Sequence, residues 1–177
     1  MSDEVEVRPE TRALKRSVSI ALAGQKRHYH GTVPSALLLL ESDSTELPSA
    51  LIEDTILKPV DKVIWLLLMQ RACRGGGVAR LPTLAELART ANVAARLTVS
   101  SSLSILRCRR WLTVCNTSWR KGGQQKGSAY ALHPIPLPVA DTIFLDPRYP
   151  AVLEELTGQH QGRVRKVACD VLGQLSD

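Results

Sequence analysis

Arg96, Thr98, Ser100, Ser101 and Ser104 crowd into one short stretch, closely followed by Arg107, Arg109 and Arg110, and then by Arg120, Lys121 and Lys126. Hydroxyls at this density donate to and accept from hydrogen-bonding edges, and guanidinium groups seek anionic oxygens. This is the chemistry of recognising a polyanion rather than of breaking a bond. The serines from Ser100 to Ser104 and the cysteines Cys73, Cys108, Cys115 and Cys169 have no base partner nearby, and the sequence has no GxSxG, HExxH or paired acid cluster, with Glu86 the only carboxylate in the basic region. Catalysis is therefore not expected. The cysteines lack CxxC spacing and are expected to be reduced, mostly buried thiols, while His28 and His30 have only the remote His133 and His160 as companions. Neither a metal nor a cofactor is expected. Lys26 and Arg27 suit phosphate contact better than His28, Tyr29 and His30 suit a metal. The GxxxxG from Gly122 to Gly127 has no GK[ST] after it, which argues against a nucleotide loop.

Charge is segregated along the chain. From Lys62 to Ala140 twelve Lys or Arg residues face a single acid, Glu86, for a local charge of +11, while the flanks sum to −5 and the whole chain to +6. A basic region of this kind fits nucleic acid. No apolar run approaches the roughly 18 residues of a membrane span, and the acidic start MSDEVEVRPE does not resemble a secretory leader. No membrane contact is expected, and the location implied is cytoplasmic and nucleoid-associated.

The elements that must position these residues are legible from local signals. Pro59 opens a helix reaching about Cys73, with Val60, Val63, Ile64, Leu67 and Leu68 as its apolar stripe, Trp65 and Met69 at its edges and Gly75 to Gly77 as its stop. Val78 to Leu81 suits a short strand. Thr83 and Glu86 form a T-x-x-E capping box ahead of a second helix, which explains the lone acid. After Asn92 a third helix begins near Ala95 and buries Val99, Leu103 and Leu106, leaving Arg96, Thr98, Ser100, Ser101 and Ser104 outward. Trp111 to Cys115 and Ser128 to His133 read as strands joined by a glycine-rich basic turn, Trp119 to Gly127.

The expected fold is mainly α with a small β-hairpin (α+β), a winged helix-turn-helix with an N-terminal extension and C-terminal helices. Residues 1–32 form an arm, disordered to about Lys15 with one short strand at Ser17 to Ala23, and 33–140 form the winged domain with a support segment, Val33 to Glu41, that suits a short helix or a buried strand. Residues 141–177 are helical. Their stripe of Val164, Val167, Ala168, Val171, Leu172 and Leu175 serves either packing or a homodimer contact.

L-x-P-x-D-K-x-x-W from Leu57 to Trp65, T-V-S-x-x-L-x-x-L-R-x-x-R-W-L from Thr98 to Leu112, and G-x-x-Y-x-L-H-x-x-P-L with L-D-P-x-Y from Gly127 to Tyr149 resemble winged-helix proteins of bacterial pathogenicity islands and integrative and conjugative elements, often labelled island replication proteins. The resemblance spans about Leu57 to Leu156 and implies a double-stranded DNA binder serving a mobile element. Transcriptional regulation is the leading expectation, with replication initiation or partition as one alternative and a winged-helix protein-interaction module as another. On this reading Arg96, Thr98, Ser100, Ser101, Ser104, Arg107, Arg109, Arg110, Arg120, Lys121 and Lys126 meet DNA. Arg96→Ala should relax sequence preference, whereas Lys121→Ala should weaken binding to all duplexes alike; fluorescence anisotropy on specific and random duplexes separates the two outcomes.

Overall fold

The computed structural model describes residues 7–28, 35–39, 47–119 and 125–176, with the backbone alone described at 22–28, 116–119, 125–127 and 176. Among these residues lie α1 (Pro9–His28), β1 (Ala36–Leu39), α2 (Ser49–Glu53), α3 (Pro59–Arg74), β2 (Val78–Arg80), α4 (Leu84–Thr90), α5 (Arg96–Cys108), β3 (Leu112–Trp119), β4 (Gln125–Leu132), α6 (Val139–Leu145), α7 (Tyr149–Thr157) and α8 (Gly162–Ser176). The fold is α+β: eight helices around one four-stranded mixed sheet.

The sheet runs β2-β1-β4-β3. β3 and β4 form the antiparallel hairpin, with a register irregularity between Val114 and Asn116. β1 lies between β4, which it joins in parallel, and β2, which it joins antiparallel. Of the segment Val33 to Glu41, Ala36–Leu39 is a central strand with Ala36, Leu37 and Leu38 buried. Alternation along β1 sends Leu37 to one core and Ala36 and Leu38 to the other. The larger core, on the side of α3, α5, α7 and α8, holds Ile64, Trp65, Leu68, Val99, Ile105, Leu106, Trp111, Leu153 and Val171. The smaller one, on the opposite sheet face, joins Leu14 and Val18 of α1 to Cys115, Ala129, Ala131 and Leu145.

Several expectations need correction. The arm of residues 1–32 was expected to be disordered to Lys15, with a strand over Ser17 to Ala23, yet Pro9–His28 is one helix. Thr11, Leu14 and Val18 are buried at helical spacing, and Ala21 packs beside them, so the charged residues between them only mark the solvent face. Proline in the first turn costs no hydrogen bond, and Arg8 and Thr11 anchor the start of α1 on Asp141. In α3 the buried face runs through Asp61, Ile64, Trp65, Leu68 and Ala72, with Val63 39% exposed, because α5 and the sheet strands pack on the side that carries Trp65. Strands β3 and β4 run further than expected and take Trp119 and Lys126 into the hairpin. Of the two roles expected for the stripe in residues 141–177, packing is the one seen: Val164, Val167, Ala168 and Val171 close the larger core.

Three helix ends share one device, a left-handed residue after the last turn whose neighbours bond back to the helix. For α3 the residue is Gly76 (φ 66°), with Gly77 N–H donating to Ala72 O at 2.9 Å. Gly75 just before it has no room for a Cβ, which would stand 2.3 Å from the Val78 carbonyl oxygen. For α4 it is Asn92 (φ 53°), with Val93 donating to Ala88, and for α5 it is Arg110 (φ 61°), with Trp111 donating to Leu106. Asparagine tolerates this conformation; arginine needs a compensating contact. Arg110 has two, since its Nε donates to Leu137 O at 2.7 Å and its carbonyl accepts from Leu137 N–H at 3.2 Å.

His133, 1% exposed, shares a 2.8 Å hydrogen bond between Nε2 and Thr113 Oγ1. Burial, reinforced by the Arg8 guanidinium and opposed by Asp141, pushes the imidazole down to about 3. The folded protein therefore holds His133 neutral, while the unfolded chain takes up a proton below about pH 6.5. Its share of the stability is complete above that value and is lost as pH falls toward 3, at up to about 1.4 kcal/mol per pH unit. Urea unfolding across pH should show this limb, and His133→Gln should flatten it between about pH 6.5 and 4.

Candidate nucleic-acid interface

The local chemistry of α4 and α5 builds the candidate interface. Thr83 Oγ1 accepts from Glu86 N–H at 3.2 Å, and the Glu86 carboxylate accepts from Thr83 N–H at 2.7 Å, closing the capping box. Glu86 also receives Arg80 Nη2 at 2.7 Å. The Thr83 backbone N–H, followed by its hydroxyl and then Arg80, holds the Glu86 carboxyl down to about 2. From Asn92 the chain turns into α5, which buries Val99, Ser102, Ile105, Leu106 and Cys108 on one side.

On the other side the expected contacts divide. Arg96 is exposed, and so is Leu97, at 61%. Ser100, Ser104 and Arg107 form one wall of a groove of about 670 Å³, faced by the β2–α4 link from Arg80 to Leu84 and floored by Leu112, Val114 and Tyr130. Thr98 is half-buried, and the Ser101 hydroxyl, between Leu97 O and Gln161, is taken up in holding α5 to the start of α8. Arg120 and Lys121 lie outside the described residues, and Lys126 stands in β4 with its backbone alone described.

Arg107, Arg109 and Arg110 turn inward. Arg107 Nη2 pairs with Asp146, and Arg109 reaches Asp54 Oδ2 through Nε at 3.3 Å and Nη2 at 3.2 Å. The same Asp54 oxygen accepts Trp111 Nε1 at 3.0 Å. Burial alone would raise the Asp54 carboxyl, but the Trp111 N–H and Arg109 together outweigh it and hold the group below its ordinary range. Arg110 is occupied by Leu137. These three cations join α5 to flanking segments: Asp146 and Asp54, from outside the basic region, hold Arg107 and Arg109, and the Leu137 carbonyl holds Arg110, while Arg107 also lines the groove.

What the sequence reading missed is a second set of cations. Arg71, Arg74 and Arg89 line a hollow of about 190 Å³ with Gln70, Thr90, Pro82 and Glu86. All three were inside the charge count, but no local signal said that the ends of α3 and α4 meet. Elsewhere Cys108 and Cys115 are buried thiols, pushed up by burial to about 11 and about 12, whereas Cys73 is half-buried and Cys169 exposed, so only two are interior. Among the described residues no group of three or more His, Cys, Asp or Glu is placed to hold a metal ion, and no helix is long and apolar enough to cross a membrane.

Comparison with protein-family models, with curated proteins and with solved structures finds no match to this chain.

The inward pairing is testable. Asp54→Asn and Arg109→Met should each destabilise the fold, and urea unfolding of the double variant should show a coupling of about 1 kcal/mol or more. Additive losses would mean that Arg109 does not depend on Asp54.

Proposed function

We propose that the chain binds double-stranded DNA as a winged helix-turn-helix, with α4 and α5 as the helix-turn-helix and β3–β4 as the wing. One observation carries this reading: α5 follows a capped, tightly turned α4, buries one side completely and leaves its first turn, Arg96 and Leu97, in solvent. The first turn of a recognition helix is the part that reaches base edges. Arg96 matches the O6 and N7 acceptors of guanine, and Leu97, otherwise an unexplained exposed apolar side chain, matches a thymine methyl. Ser100 lies one turn on, within reach of the same groove. Ser101 fastens α5 to the start of α8 and so keeps the helix at a fixed angle.

The resemblance of the motifs supplies the setting, a transcriptional regulator of a mobile genetic element. The motif residues themselves are largely internal: Asp61, Trp65, Trp111, His133, Asp146 and Tyr149 are all buried. They support a shared scaffold, and the target sequence is left to the exposed turn.

Selection of binding sites from a random duplex pool should yield a defined site, and Leu97→Ala should lose preference at one T·A position while keeping its affinity for random DNA. Chromatin occupancy at promoters with altered transcripts is the expected outcome in cells. A single origin-like cluster would overturn the regulatory assignment, and no enrichment from the pool would overturn sequence-specific DNA binding.

A further inference from the structure

We propose that Arg71, Arg74 and Arg89 form a phosphate-binding patch over which the backbone of the duplex passes. The inference rests on the DNA-binding reading and adds to it the surface that carries the sequence-independent part of the affinity.

Arg71 and Arg74 occupy the last turn of α3 and Arg89 the last turn of α4, and the three border one hollow with the amide of Gln70. None of their guanidinium groups has a hydrogen bond or ion pair within the described residues. Seven other arginines are claimed within the fold: Arg8 by Asp141, Arg80 by Glu86, Arg107 by Asp146, Arg109 by Asp54, Arg110 by Leu137, Arg148 by Glu155 and Arg163 by Asp61. The one carboxylate at the hollow is Glu86, whose oxygens already hold Thr83 N–H and Arg80. The hollow thus gathers three guanidinium groups around no uncommitted anion. A cation at a helix C-terminus complements the dipole, which accounts for each arginine singly but not for their convergence. Guanidinium forks fit phosphate oxygens, and a duplex backbone offers these in a row. The patch also adjoins the groove along α5, because Pro82 borders both. The cations that sequence spacing favoured, Arg107, Arg109 and Arg110, are occupied internally, so backbone contact shifts to this end of the domain.

The test is a salt titration of the full chain on a labelled random-sequence duplex, read by fluorescence anisotropy. The Arg71→Ala/Arg74→Ala/Arg89→Ala triple variant should reduce the slope of log K against log salt by about three, close to one per phosphate contact, on a chain that still unfolds cooperatively. It should weaken specific and random duplexes alike, and the matching Arg→Lys triple should keep most of the slope. Arg165→Ala/Lys166→Ala, exposed cations on α8, should leave the slope intact. If the unaltered chain binds with a steep slope that the alanine triple does not change, the patch is wrong and DNA binding stands. An equal loss of slope in the α8 variant would also overturn the patch, since any surface charge would then serve. If the unaltered chain does not bind duplex at all, both readings fall.

Discussion

Buried aspartates that capture arginines from distant segments are the constraint on which this structure depends. The side chains of Asp54, Asp61, Asp141 and Asp146 are at most 6% exposed, and each holds a guanidinium: Arg109, Arg163, Arg8 and Arg107 in turn. A carboxylate taken out of water costs several kcal/mol unless its oxygens are filled, and removing one partner of such a pair costs about 3 to 5 kcal/mol. Asp61 shows how completely they are filled. It accepts from Lys58 N–H at 2.8 Å to cap α3, and from Arg163 Nη1 at 3.0 Å through its other oxygen, with Nη2 closing the fork. One side chain thereby starts α3 and anchors α8. Asp54, in the same manner, ties the end of α2 to Arg109 and to the indole of Trp111, whose ring packs edge-on against Trp65 with centroids 6.1 Å apart.

These pairs separate two questions that look alike in the amino-acid sequence, how many cations there are and how many are available to a partner. The basic middle of the chain and its acidic flanks are not opposed surfaces. Asp54 and Asp146 come from the flanks and neutralise the cations at the end of α5, while Tyr149 donates its hydroxyl to Cys108 O at 2.6 Å and closes the same corner. Among the described residues of the basic middle, the exposed arginines without a side-chain partner lie at the first turn of α5 and at the ends of α3 and α4.

What could be read beforehand was local. Thr83 and Glu86 are three residues apart, and Pro59 and the glycines from Gly75 mark their helix within its own turns, so these elements were legible. α1 was not, since its composition is charged and its buried positions only gain meaning once Asp141 and the sheet stand beside them. The fate of Arg107, Arg109 and Arg110 was equally hidden, because their partners lie 39, 55 and 27 residues away. Trp65 was assigned to an edge because the stripe was centred through Val63 and Leu67, whereas the buried face of α3 runs through Asp61, Ile64, Trp65, Leu68 and Ala72.

The placement of β1 has a consequence for how the chain is made. Both neighbours of this strand follow it in the chain, β2 at Val78–Arg80 and β4 at Gln125–Leu132. Its parallel partner is about ninety residues downstream, so the side of β1 that meets β4 stays unfilled until that much more chain has been made. Both cores meet on this strand, Leu37 in one and Leu38 in the other. The sheet therefore cannot close before β4 is made, and nascent chains stalled between β2 and β4 would present one edge of β1 to chaperones.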